Sequence, residues 1–555
     1  MYRGGSAFLS ILLASCSTIN GEMLEANLPA TPEAWTAAKE DVSATPVGDW
    51  VAAFEDQTLR SLISEAMSHN NTLLAAAANL ESAKQNATIV RAGLLPSLNA
   101  TPSASRNAIV TDPSIAAQSG GGGGLGDFRI QDLEDQFGVD SDGDGEIDTL
   151  DLFVGPGPEQ GVLNPVSGQD GFGDSSIPNR RININNFRLS AQLNWEIDLW
   201  GRLTDQTRAA YKDARASFAD LRGTQMSIAG AVAQGWFILI EARQQRELAE
   251  RDVAARESNL RVTERRYDRG VASSLDLRLS RSALGSSRAS LAGRQRQEQE
   301  ASRRLEVLLG RYPSAELAAA ENLPELIGLN GAGAPGDLLA RRPDVIAAEL
   351  RMESAGLRAR AARKEMLPTL TLSSNINTSG PDLSDVIDPE RLAGNIAAGL
   401  FQPLFQGGRI RANTKRQRAL AESSLLSYVQ ITLEAFEEAE NAIAAENLLA
   451  AQESALKLAF EEAAAAEELT ERRYTSGAAT IFNLLDAQTR RISSESAYIN
   501  AQQQRVSNRV QLYLAIGGDF LTDEDLALAQ ASAGDPDFVA SDNASITTAA
   551  IKVSE

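Results

Sequence analysis

Two periodicities divide this chain. From Phe187 it reads FRLSAQLNWEIDL, in which Phe187, Leu189, Ala191, Leu193, Trp195, Ile197 and Leu199 alternate with Arg188, Ser190, Gln192, Asn194, Glu196 and Asp198. A period of two sustained this long predicts a strand with one apolar and one polar face. Weaker runs in the same style begin at Leu98 and Ala100, at Leu370, Leu372 and Ile376, and at Ile396, Ala398 and Leu400. Strands are therefore expected over about 96–106, 187–199, 368–378 and 394–402. About 9 to 11 residues with such faces suffice to cross a bilayer. Trp195 and Trp200 would suit an aromatic girdle. Amphipathic strands of a small soluble sheet are the alternative.

The remaining pattern is helical. No proline lies between Thr204 and Asp268, and neither proline nor glycine lies between Ala412 and Thr475. These stretches are rich in Ala, Glu, Arg, Gln and Leu, all strong helix formers. Long helices are expected over 203–268 and 410–474, with returning helices over 276–309 and 483–516 and shorter ones over 54–92 and 344–366. A helix of about 63 residues would extend about 95 Å, more than a globular core needs. Leu449, Leu456 and Ala463 recur every seven residues with Ala445, Ala459 and Ala466 between them, interrupted by Gln452. Such a seam of small residues suits close coiled-coil packing. Gly270 and Gly477 are placed to end the long helices. Asp344, after Pro343, is expected to cap the helix that follows.

The chain repeats itself. Glu264-Arg265-Arg266-Tyr267 returns as Glu471-Arg472-Arg473-Tyr474, an offset of 207, which also relates Gly201-Arg202 to Gly408-Arg409 and Gly310 to Gly517. Leu95-Pro96-Ser97-Leu98 resembles Leu367-Pro368-Thr369-Leu370 at an offset of 272, so the first copy holds about 65 additional residues. A period this long marks a duplicated half-molecule rather than a solenoid. The expected organisation is a first repeat over 49–310 with an insertion at about 108–183, a connector over 311–342, a second repeat over 343–517 and an acidic tail over 518–555.

Composition narrows the function. Hydrophobic residues make up 43% of the 555, yet no apolar run reaches the roughly 18 needed for a membrane helix. A net charge of −22 argues against a nucleic-acid partner. His69 is the only histidine, in a polar helix-like stretch read as surface, and no G-x-x-x-x-G-K-[ST] occurs. Zinc-protease and P-loop chemistries are thereby excluded, and the chain is not read as an enzyme. Cys16 is the only cysteine, so no intrachain disulfide forms. It follows Arg3 and an apolar run from Ala7 to Ala14, the order of a signal peptide over 1–15.

Four strands cannot close a barrel, since the smallest membrane barrels use about eight. An open sheet edge in lipid leaves backbone groups unsatisfied. If these strands lie in a membrane, several chains share one barrel.

At this point the chain resembles the TolC/OprM family of outer-membrane efflux factors, and within it the NodT-like lipoproteins of resistance-nodulation-division pumps. The motifs that carry the resemblance are LLASC, NWEIDLWGRL, ERRYDRGVASSLDLRLS, LLARRPDVIAAE, LPTLTLSSN and LFQPLFQGGRIRA, spread over about 50–520. The resemblance implies a mixed α and β membrane protein. Four strands per chain would build a trimeric twelve-stranded outer-membrane β-barrel, continued by a long α-helical coiled-coil tunnel through the periplasm. Leu13-Ala14-Ser15-Cys16 resembles a lipobox, which implies cleavage before Cys16, lipidation there and an extended leader over 16–48. The implied partners are two further copies, a periplasmic adaptor, an inner-membrane transporter and outer-membrane lipid. The implied activity is passive export of small molecules such as drugs, with no cofactor. An exit duct for type I protein secretion or metal ions, or a non-pore structural coiled-coil lipoprotein, are the alternatives. In the family the periplasmic tip is the gate, and its positions here are Tyr267, Asp276, Tyr474, Asn483 and Asp486. Threefold symmetry would make each acid a ring of three charges, attractive to cations. Packing within the turn is the simpler reading of the tyrosines, and helix N-terminal charge stabilisation that of the acids.

The family topology makes the insertion extracellular. It contains DSDGDGEIDTLD, in which Asp140, Asp142 and Asp144 take positions 1, 3 and 5 of a calcium loop. Gly145 is at 6, the Glu146 carbonyl at 7, Asp148 at 9 and Asp151 in place of the usual bidentate glutamate. A possible Ca2+ site stands against a solvated acidic loop.

Overall fold

The computed structural model describes residues 32, 34–37, 49–111, 180–326, 331 and 333–518. Cys16, the loop from Asp140 to Asp151 and the tail beyond 518 lie outside the described residues.

The element order is itself a repeat. The first half contains α1 (Gln57–His69), α2 (Asn71–Ala92), β1 (Ser97–Thr111), β2 (Arg180–Ile197), α3 (Arg202–Asp268) and α4 (Ser274–Leu308). The second contains α5 (Pro335–Arg341), α6 (Pro343–Lys364), β3 (Thr369–Gly380), β4 (Ala393–Phe401), α7 (Arg409–Thr475) and α8 (Ile481–Ala515). The long helices α3 and α7 have 67 residues each, and the returning helices α4 and α8 have 35 each. At 1.5 Å per residue the long helices extend about 100 Å. No described helix is long and apolar enough to cross a membrane.

Where one helix over 54–92 is expected, two stand. Asn70, at ψ 120°, ends α1, and its carboxamide oxygen caps α2 by accepting the N–H groups of Thr72 (2.9 Å) and Leu73 (3.2 Å). Its Nδ2 donates to the Leu308 carbonyl at the end of α4, 2.8 Å away. The second half breaks at the matching place. Arg342, 272 residues on, separates α5 from α6 at ψ 119° and donates from Nη1 to the Ala515 carbonyl at the end of α8, 3.1 Å away. Arg342, not Asp344, is therefore the residue at the head of α6, and Pro343 opens the first turn. Asp344 instead forms an ion pair with Arg342 at 2.7 Å.

Gly310 and Gly517 close the returning helices beside these breaks, with φ of +76° and +72°. A Cβ on Gly310 would lie 2.5 Å from the His69 carbonyl oxygen, and one on Gly517 would lie 2.9 Å from the Arg341 Cβ. Both the left-handed backbone and the close approach require glycine. His69 itself is exposed.

The strands β1 and β2 are longer than the alternation suggests. β1 pairs antiparallel with β2 from Ser97 opposite Asn194 to Thr111 opposite Arg180. Ile184 falls on the opposite parity from Phe187, so a side-chain period loses the strand while backbone pairing continues through it. The expected insertion thereby narrows to 112–179. Residues 97–194 and 372–398 form one compact unit, a sheet in the order β1-β2-β3-β4 whose edge strands are β1 and β4. All nine residues of β4 are exposed.

The other unit is helical at its centre. Trp50, Phe54, Phe237 and Tyr513 pack together, with ring centroids 5.2 Å apart for Phe54 and Phe237 and 6.3 Å for the stacked Trp50 and Tyr513. Asp56 caps α1 through the Leu59 N–H (3.0 Å) and accepts the Trp236 indole N–H (2.7 Å). The stretch 34–37 is held to the same unit. Trp35 is buried and donates to the Gly333 carbonyl at 2.8 Å, while Glu440 accepts the N–H groups of Thr36 and Ala37. The helix α6 packs on both long helices, and its Arg351 and Arg358 form ion pairs with Asp220 and Asp213 of α3. At the strand ends Trp195 donates to the Leu94 carbonyl (2.9 Å) and its counterpart Gln402 to the Met366 carbonyl (3.0 Å). Trp200 donates to the Pro368 carbonyl at 2.7 Å.

The connector after α4 is organised by one buried acid. Glu306 accepts the N–H groups of Ala315 (2.7 Å), Glu316 (2.8 Å) and Leu317 (3.3 Å), and Ala315 adopts a left-handed φ of +62°. Burial alone would raise the Glu306 carboxyl, but these donors outweigh it and hold it below the ordinary carboxylate range. A lowered folded-state pKa contributes stability above the unfolded-state pKa, and that stability is lost as pH falls through the folded value. Glu306→Gln should therefore cost about 2 kcal/mol at neutral pH, and thermal unfolding curves of variant and parent should converge in acid.

Candidate functional site

The duplicated ERRY segments form the two turns between long and returning helices. After α3, Gly270 (φ +75°) donates to the Tyr267 carbonyl at 2.8 Å and Val271 to the Arg266 carbonyl at 2.8 Å. After α7, Gly477 (φ +83°) donates to the Tyr474 carbonyl at 3.0 Å and Ala478 to the Arg473 carbonyl at 2.7 Å. Both are Schellman closures, in which glycine satisfies the last carbonyls of a helix. The next helix is then capped at once. Ser273 accepts the Asp276 N–H (3.2 Å) and Asp276 accepts the Ser273 N–H (2.8 Å), a complete capping box. Thr480 accepts the Asn483 N–H at 3.3 Å and also bonds the Asn483 side chain.

The matched tyrosines have different surroundings. Tyr474 is only 5% exposed and packs against Ile481 and Leu484. Its hydroxyl lies 3.1 Å from Thr263 Oγ1 of α3, and Thr263 also meets Ser280 Oγ of α4 at 3.4 Å. The Arg266 guanidinium sits 5.1 Å from the Tyr474 ring centroid and donates to the Tyr474 carbonyl at 3.0 Å. Tyr267 is 43% exposed. Asp486 is exposed and forms an ion pair with Arg490 one turn on, at 2.8 Å. The structure thus joins Tyr474 to Thr263, Arg266 and Ser280. Asp276 and Asn483 are engaged at their own helix starts.

Sequence reasoning missed Thr263 and Ser280. Each is a single small hydroxyl on a long polar helix, and only the neighbouring turn distinguishes it. A second buried polar layer lies higher up. Asp252 accepts from Arg256 Nε (2.8 Å) and Ser287 Oγ (2.6 Å), and Arg256 reaches Thr489 of α8 at 3.5 Å. The offset of 207 places Ala459 and Ala463 at the corresponding positions of α7, so α7 has no equivalent of the Asp252–Arg256 pair. Among the described residues, no group of three or more His, Cys, Asp or Glu is arranged to hold a metal ion.

A model of the outer membrane efflux protein family matches residues 62–126, 167–311 and 334–518. The chain belongs to that family. It is a transport protein of the outer membrane, an exit duct. The pyoverdine export outer membrane protein OpmQ of Pseudomonas aeruginosa is 27% identical over 522 residues, covering 92% of this chain and 96% of that protein. The toluene efflux pump outer membrane protein TtgC of Pseudomonas putida is 26% identical over 545 residues, covering 96% and 98%. The solved outer-membrane channel OprN superposes with a TM-score of 0.70 at 24% identity, covering 89% of this chain and 98% of its own. The Campylobacter jejuni CmeC channel gives 0.72 at 19%, covering 92% and 98%. These likenesses in structure carry the fold.

Tyr474→Phe removes a buried hydroxyl contact worth about 1 kcal/mol, and Arg266→Ala removes the ring contact and the carbonyl bond together. Amide exchange over 470–480 should speed up in both, and more in Arg266→Ala.

Proposed function

We propose that the protein is the outer-membrane component of a tripartite resistance-nodulation-division efflux pump. Three copies form a twelve-stranded barrel and a helical conduit through which small molecules pass passively. The unequal surroundings of duplicated parts support this reading most directly. The helix α6 packs on both α3 and α7, whereas its counterpart α2 packs on α3 without a comparable contact on α7 and leaves Leu74 and Ile89 exposed. On α7 the matching face is an open groove along Ala419, Ser423, Leu426 and Gln430. A second copy fills both needs, since α2 of one chain can occupy on α7 of the next the place that α6 takes on α3. Strands β1 and β4 pose the same requirement, because an edge in lipid must be paired. Detergent-extracted protein should run as a trimer unheated and as a monomer after boiling. A monomer throughout would refute the assembly.

Closure is assigned to the turns after α3 and α7, with Tyr267, Asp276, Tyr474, Asn483 and Asp486 as gate positions. The partners are a periplasmic adaptor that docks at these turns and a proton-driven inner-membrane transporter that selects the cargo. A diacylated or triacylated Cys16 would add a stable tether. Threefold rings of Asp276 and Asp486 would favour cations. Asp276→Asn keeps a capping side chain, so with Asp486→Asn it tests charge alone. The double variant should lower the cation-to-anion permeability ratio measured by reversal potential in planar bilayers, and an unchanged ratio would place the selective ring elsewhere.

The acidic loop is proposed to hold calcium through Asp140, Asp142, Asp144, the Glu146 carbonyl, Asp148 and Asp151, ordering an extracellular segment. Chelation should then increase proteolysis within 120–180. Equal cleavage with and without calcium would remove the ion.

A further inference from the structure

We propose that one flank at the start of α7, formed by Arg411, Lys415 and Arg418, binds the anionic headgroups of phospholipids in the periplasm-facing leaflet of the outer membrane. This rests on the barrel reading above and adds a specific lipid contact below the strands.

The local charge is out of keeping with the chain. Arg409, Arg411, Lys415, Arg416 and Arg418 stand within ten residues of a protein whose net charge is −22, and no acid occurs between Glu390 and Glu422. Neighbouring cations are matched by acids, as Arg358 is by Asp213 and Lys364 by Asp205. Among the described residues, none of these five has a carboxylate within ion-pair reach. Arg409 and Arg416 donate to the neutral side chains of Gln406 and Asn413. The first turn of α7 contains no acid, and cations at the positive end of a helix dipole are unfavourable. An external anion relieves both the crowding and the dipole. The repeat does not share the feature, because the α3 counterparts of Arg411, Lys415 and Arg418 are Thr204, Arg208 and Tyr211.

The flank faces away from the conduit. Asn413 donates to Glu365 at 3.1 Å and Thr414 to the Ala362 carbonyl at 3.2 Å, which turns that face of α7 onto the end of α6. Arg411, Lys415 and Arg418 are exposed and follow one another at spacings of four and three, so they share one side of the helix. Lys415 and Glu440 are 25 residues apart, about seven turns. Glu440 holds Thr36 and Ala37 of the leader, which runs from the tethered Cys16 and therefore lies outside the conduit. Arg409 and Arg416 instead stand fourteen and seven residues before Ser423, in line with the groove assigned above to a neighbouring copy.

The surroundings fit a lipid interface. Strand β4 ends at Phe401, and Leu404 and Phe405, between it and α7, are 91% and 90% exposed. Exposed apolar side chains beside cations are the composition of a membrane-surface contact. From Arg411 to Arg418 the helix rises only about 11 Å. Side chains lean toward a helix N-terminus, here toward the strand end, and long cationic ones extend to reach phosphate.

The test titrates full-length detergent-purified protein with short-chain phosphatidylglycerol or phosphatidylcholine, counting bound lipid on the unheated oligomer by native mass spectrometry. The parent should prefer phosphatidylglycerol, and the preference should fade as salt rises. Arg411→Gln, Lys415→Gln and Arg418→Gln together should weaken phosphatidylglycerol binding at least about tenfold and leave phosphatidylcholine unchanged. The charge-preserving set Arg411→Lys, Lys415→Arg and Arg418→Lys should bind as the parent does, and Arg409→Gln with Arg416→Gln should weaken binding less. Equal binding of both lipids by the parent, or undiminished phosphatidylglycerol binding by the triple glutamine variant, overturns the proposal. If that variant instead raises the cation-to-anion permeability ratio in planar bilayers with lipid binding intact, the three side chains line the lumen and the proposal fails. In either case an oligomeric parent leaves the assembly standing, whereas a monomeric parent removes both.

Discussion

A four-stranded sheet has two edges, and every backbone donor and acceptor along them must find a partner when water is absent. Strands β1 and β4 are the edges here, and in the proposed barrel they carry that obligation. On that proposal a single chain is incomplete at both edges of its sheet. The helices support the same proposal independently. Duplication created two related sets of helix faces, and within the chain α6 packs on both long helices while α2 packs on α3.

That inequality is clearest where identical residues meet different neighbours. Tyr474 is buried against Thr263 and beneath Arg266, while Tyr267 in the same tetrad is largely free of such contacts. The sixth helix forms ion pairs with α3 through Arg351 and Arg358, whereas the matching positions of α2 hold Asn79 and Asn86. The two halves share a backbone plan and have diverged in the side chains that join them. The conserved elements of the plan are those with no chemical substitute. Glycines with left-handed backbone recur at 201 and 408, 270 and 477, and 310 and 517. At other shared positions a different side chain performs the same task, as Trp195 and Gln402 do on corresponding carbonyls.

Much of the helical architecture was legible because proline and glycine punctuate it. The long helices end at Gly270 and Gly477, and their returns begin at residues that cap well, Ser273 and Thr480. The break at Asn70 was not legible. Asparagine is tolerated in a polar helix, and its counterpart is Arg342, so the shared offset carries no shared residue type. Both break the helix because each also reaches a carbonyl at the end of a returning helix, Leu308 or Ala515. The early part of β2 was hidden for a related reason. Its side chains change parity near Ile184, and only pairing with β1 reveals that the strand continues.

By itself the sequence determined the duplication, the lengths of the helices, the positions of their turns and the family, because these depend on local backbone preference and on motifs that any one segment displays. Which tyrosine is enclosed, where the short helices break and which faces stay uncovered were decided only by the tertiary structure. Those outcomes depend on residues hundreds of positions apart meeting at one place, and a periodic pattern records which face of a helix is apolar but not which helix will cover it.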